Sequence, residues 1–133
     1  MKKQLTKLKK AFFEKNSEAI EQLIDDIDFS ENVSDYTEIL CQLLVADWHI
    51  KHEDIAFILE DIRDPLAVDY LYIAAQKNLE YLSYDDSRQL AKKCIWALWK
   101  IGTEEAIAKI EQLATFEDNI VRGYAVNQLN KNK

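Results

Sequence analysis

Glycine and proline are nearly missing from this chain, which has two glycines and one proline in 133 residues. A β-rich fold of this size needs many more turn residues, so the expected class is all-α. Cysteine is equally scarce. Cys41 and Cys94 lie far apart in apolar helical patterns and form neither a C-x-x-C pair nor a disulfide framework. They read as two small core residues of a protein in a reducing cytoplasm. No apolar run approaches the roughly 18 residues of a membrane span, so none is expected. The opening MKKQLTKLKKAFF is basic but lacks the apolar segment and small-residue cleavage site of a signal peptide. The expected location is therefore cytoplasmic.

Catalytic signatures are lacking as well. The chain shows no Gly-rich phosphate loop, no supported Ser-His-Asp order and no cysteine cluster. Asp25/Asp26 and Glu60/Asp61 are sequence neighbours. Adjacent residues on a helix point about 100° apart, which does not make an acid/base pair. The expectation is a non-enzyme with no catalytic residues and no cofactor.

What is abundant is apolar spacing of three and four residues, over a composition that is 48% hydrophobic and 31% charged. That pattern suits one soluble helical domain over residues 1–133. Eight helices are expected, near 2–14, 17–27, 35–49, 52–62, 65–80, 86–101, 104–115 and 119–130. Their starts carry signals: Asn16 and Ser17, the capping-box pattern Asp35-x-x-Glu38, Asp64-Pro65, Asp86-x-x-Gln89, Thr103 and Asp118 or Asn119. Gly102 suits a left-handed helix end. Gly123, inside the last helix, costs propensity, and a close helix approach would be one reason for it.

The connections are mostly short, which makes sequential helices antiparallel neighbours. Internal similarity suggests how they stack. A shift of 39 residues lays LEDIRDPLAVDYLYIAA over LWKIGTEEAIAKIEQLA. It matches Leu59/Leu98, Ile62/Ile101, Ala67/Ala106, Val68/Ile107, Leu71/Ile110 and Ala75/Ala114. A shift of 31 lays Leu90, Cys94, Ile95 and Leu98 over Val121, Ala125, Val126 and Leu129. Such hairpin units bury their apolar faces by stacking on one another.

The segment CIWALWKIGTEEAIAKIEQLATFEDNIVRGYAVNQL resembles a short HEAT repeat of the phycobilin-lyase-like type. The residues that carry the likeness are Ala97, Leu98, Ile101, Gly102, Ala106, Ile107, Asp118, Val121 and Arg122. The resemblance covers residues 59–130 and implies a HEAT-like α-solenoid of about eight antiparallel helices with a binding role. The segments WHxxHEDI, DDxRxLAxKCIWAL and GYA also look similar to small acidic bacterial immunity proteins encoded beside polymorphic or contact-dependent toxins.

Charge is strongly segregated. Residues 1–15 carry six lysines against Glu14, residues 16–80 carry 16 acids against three bases, and residues 81–133 carry eight bases against seven acids. An acidic middle repels nucleic acid and favours a basic protein partner, with no membrane role. With the resemblance, that partner is expected to be a cognate toxin, such as a nuclease. The candidate interface residues are Asp47, Trp48, Glu53, Asp54, Glu60, Asp61, Asp69 and Tyr70. Trp96 and Trp99, three apart, are open to either core or interface roles.

The segment ADWHIKHEDIAF concentrates the remaining chemistry. His49 and His52 stand three apart, a spacing that can place two imidazoles on one metal within a helix. The H-E-x-x-H order is absent, and a helix break near Ile50–Lys51 is expected to point the rings apart. The segment is therefore expected to be a helix corner with capping roles and no metal. A bilin-lyase relative using His49 or His52, and a general adaptor, are the other readings.

Overall fold

The computed structural model describes residues 3–27, 33–82 and 87–131 of the chain. Every regular element in them is helical: α1 (Lys3–Phe13), α2 (Ser17–Asp25), α3 (Thr37–Val45), α4 (His52–Ile62), α5 (Val68–Ala75), α6 (Gln89–Ile101), α7 (Glu104–Leu113) and α8 (Asn119–Asn130). Short 3-10 turns occupy Val33–Tyr36, Pro65–Ala67 and Glu80–Leu82. No helix among the described residues is long and apolar enough to cross a membrane.

Local sequence starts and stops these helices. The side chains of Asn16, Thr103 and Asp118 accept hydrogen bonds from the first free backbone N–H groups of α2, α7 and α8. Asp64 does the same for the turn that opens with Pro65. Gly102 ends α6 at φ +69°, where a side chain would be strained. Two expected starts differ. Asp35 falls inside a 3-10 turn and Tyr36, which does not cap α3 with its side chain, takes the cap position, so the expected start at Asp35 shifts to Thr37. Arg88 takes the cap position of α6, in the left-handed region, and Asp86 lies outside the described residues.

Packing follows an alternating order. α3 packs on α1 and α5, and α5 on α7, while α6 packs on α4 and α8. Consecutive pairs α3/α4, α6/α7 and α7/α8 also touch, and α5 lies along α6. α6 is the shared wall: Cys94, Ile95, Ala97 and Leu98 are fully buried there. Complete burial of each large aliphatic side chain stabilises the fold by roughly 1.5–3 kcal/mol. The 39-residue similarity is reproduced in burial, since Leu59/Leu98, Ala67/Ala106 and Leu71/Ile110 are all at 0% exposure. The 31-residue similarity holds at Leu90/Val121 and Cys94/Ala125 but fails at Ile95/Val126, because Val126 lies on the outside of the last helix.

Both thiols are free and buried. Burial, with smaller pushes from Asp64 and Glu38, raises Cys41 to about 12, and burial alone drives Cys94 up. Both stay protonated at neutral pH and pack as small apolar groups.

Gly123 has no close neighbour. A methyl group built on it would meet nothing within 4 Å, so helix approach does not account for this glycine. Gly123→Ala is expected to stabilise the protein by about 0.5–1 kcal/mol, through better helix propensity and a less flexible unfolded chain. Urea denaturation of the two proteins checks this.

Candidate functional site: the histidine corner and the α4 ridge

α3 stops at Val45, four residues earlier than the sequence pattern suggests. Ala46 turns extended (φ −78°, ψ 154°), and residues 47–50 form a bend before α4 begins at His52. An abrupt end leaves the last carbonyls of α3 short of helical donors, with Leu43 keeping only the Ala46 N–H at 3.2 Å. Three basic side chains add donors. The Nε2–H of His49 donates to the Leu43 carbonyl at 2.6 Å, and the Nε2–H of His52 donates to the Ala46 carbonyl at 2.5 Å. Lys77 Nζ donates to the Val45 carbonyl at 2.7 Å.

The remaining ring nitrogens are occupied too. His49 Nδ1 accepts from the backbone N–H of Lys51 at 3.0 Å, and His52 Nδ1 lies 2.8 Å from the Tyr81 hydroxyl, whose oxygen also accepts from the His52 backbone N–H. The Lys51 N–H requires a neutral His49 with its proton on Nε2, and the low pKa of His52 keeps that ring neutral at pH 7 as well. Both side chains are buried, at 2% and 0% exposure. Burial pushes the His49 pKa down against the pull of its carbonyl bond. Burial likewise drives His52 down to about 4, helped by His49 and Lys77 and opposed by the Ala46 carbonyl and Asp47.

The expectation that the rings point apart is overturned. They stack, with centroids 4.1 Å apart and planes 9° from parallel. The bend folds back over the end of α3, so both rings reach carbonyls of the same helix terminus. The stack continues outward on each side. Trp48 meets His49 edge-on at 5.5 Å and Phe12 of α1 at 5.9 Å, and Tyr81 meets His52 at 5.5 Å. Among the described residues, no group of three or more His, Cys, Asp or Glu side chains is placed to hold a metal ion. All four imidazole nitrogens bond to protein groups, so the arrangement is a structural clamp joining α1, α3, α4 and the Tyr81 turn.

Asp47 is exposed beside this clamp, whereas Trp48 is half-buried in it. Glu53, Asp54, Glu60 and Asp61 run along α4, with Asp54 and Asp61 the more open. Lys51 bridges Asp25 at 2.7 Å and Asp54 at 3.5 Å, and its bond to Asp25 does most to raise its pKa. Asp69 lies apart from these on α5, 3.8 Å from Lys109 of α7, and Tyr70 is half-buried against the core. The structure thus gathers six of the eight candidates on the corner and α4 and leaves two on α5.

Sequence reasoning missed Ile50 and Phe57, which stand 49% and 63% exposed on the same surface. Glu53, Asp54 and Phe57 line a groove with Lys93 of α6, and Glu60 lines the next one with Trp96, Trp99 and Lys100. Trp96 is exposed while Trp99 packs against the core, so the two tryptophans divide the two roles. The signal for Phe57 was available: it falls off the Ile55/Ile58/Leu59/Ile62 stripe of α4.

Compared with protein-family models, curated proteins and solved structures, the chain matches none.

The clamp makes stability depend on pH. Both imidazoles are neutral in the fold, while in the unfolded chain they take up a proton near pH 6.5. Their full contribution is present above that value and is lost as pH falls towards about 4, where His52 protonates in the fold too. For His52 alone the loss reaches about 3 kcal/mol. Urea midpoints should fall from about pH 7 to about pH 5, and His52→Gln should flatten that fall. An unchanged slope in the variant would place the effect on the carboxylates.

Proposed function

We propose that this protein is a HEAT-like α-solenoid that binds a basic protein, most concretely as an immunity protein that neutralises a cationic bacterial toxin such as a nuclease. The observation that carries this reading is the charge around the corner and α4. Residues 46–62 hold five acids against Lys51, and Lys51 is already engaged by Asp25 and Asp54. A surface of that sign draws a cationic partner in quickly, and exposed aromatic groups beside it slow departure.

The solenoid reading is supported by the alternation of helix contacts and by the residues of the repeat resemblance. Gly102 closes α6, Asp118 caps α8 and pairs with Arg88 at 2.8 Å, and Arg122 donates to the Phe116 carbonyl at 2.8 Å. The ion pair ties the start of α8 to the start of α6, and the Arg122 bond holds the corner between α7 and α8, as a stacked repeat requires.

Co-expression with the product of the adjacent gene is the decisive experiment. A basic protein is expected to co-purify, and its association should slow about tenfold in Asp47→Asn/Asp54→Asn/Asp61→Asn and in high salt. Co-purification of no basic protein, or a rate indifferent to these changes, overturns the reading.

A further inference from the structure

The face built by α4 and α6 has a second property, which goes beyond the basic-partner reading and does not depend on it. Shifted by 39 residues, the outward positions of α4 fall on those of α6: Glu53 on Lys92, Phe57 on Trp96 and Asp61 on Lys100. The same spacing therefore presents an aromatic flanked by acids on one helix and an aromatic flanked by lysines on the next. The two ridges lie side by side and run in the same direction. The early α4 residues Glu53 and Phe57 share a groove with Lys93, and the later Glu60 shares one with Trp96 and Lys100. Phe57 is 63% exposed and Trp96 36%. Lys92 holds its ammonium over the Trp96 ring, 5.0 Å from the centroid.

A two-fold axis lying in this face, along the groove between α4 and α6, carries each ridge onto the other. It sets the acids of one copy against the lysines of the second and brings both pairs of exposed aromatics to the centre. An axis across the helices would instead put acid on acid and lysine on lysine. Charge inversion between equivalent positions is thus self-complementary in one arrangement only, which is what an isologous contact demands. We infer that this face binds a second copy of the chain, forming a two-fold dimer with α4 of one protomer on α6 of the other.

Sedimentation equilibrium from about 1 μM to about 1 mM tests this on the full chain. A monomer–dimer equilibrium is expected, weakened at least tenfold by Phe57→Ser or Trp96→Ser and by high salt. Glu53→Lys/Asp61→Lys and Lys92→Glu/Lys100→Glu should each be monomeric alone and should pair when mixed in equal amounts. Circular dichroism and melting temperatures like those of the parent chain show that the variants fold. A chain that stays monomeric throughout the range, charge-reversed variants that self-associate as well as the parent, or a mixture that fails to pair would each overturn the inference. The two tests share Asp61 but stay distinguishable, because the test of the basic partner reads co-purification and association rate with a second protein, and this one reads self-association.

Discussion

The burial of α6 is the constraint on which the remaining structure depends. Its inner surface is shared by α4, α5, α7 and α8, and its central residues Cys94, Ile95, Ala97 and Leu98 see no solvent. A helix enclosed from so many directions fixes the positions of its neighbours through shape. Ala97 is as informative as Leu98, because a small residue at 0% exposure marks a place where another helix comes close. With the inner side committed to packing, the outward strip of Lys92, Trp96 and Lys100 is what remains for contact with other molecules.

The histidine corner addresses a different problem. Ending α3 at Val45 exposes carbonyls in a place that water does not reach freely, and a buried carbonyl without a donor costs on the order of 1–3 kcal/mol. Two neutral imidazoles and one lysine provide donors from three separate points of the chain. The same rings form an aromatic stack that reaches Phe12 in α1 and Tyr81 beyond α5. A histidine pair in an acidic segment can look like chemistry when seen in sequence. Here its polar atoms are spent on backbone groups and the Tyr81 hydroxyl, and its faces on each other.

Much of the helical pattern was legible because it is written locally. α4 and α8 occupy the predicted residues, and Asn16, Asp64, Gly102, Thr103 and Asp118 act as their types imply. The failures have long-range causes. α3 stops early because donors that rescue its carbonyls come from beyond the bend, from His52 and from Lys77, 32 residues away and outside any local window. The stacking of His49 on His52 depends on how the bend returns over α3, which their spacing of three does not reveal. On the candidate surface, the acids were visible as a charge block, and exposed Phe57 was legible from its place off the apolar stripe of α4, whereas its nearness to Lys93 required knowing that α4 packs on α6.

The alternating helix contacts also bear on how quickly the chain can fold. Each helix meets partners one or two places along the sequence, and the N-terminal caps of α2, α7 and α8 are built from residues within the same turn. The chain closes few large loops before its contacts begin to reward it, and loop closure is the entropy that most slows folding. The bond from Tyr124 to the Ser87 carbonyl, 37 residues away, is among the longer closures and joins α8 to the start of α6. Assembly can therefore spread outward from the central helices, and the ends of the chain need join only after a stable surface exists to receive them.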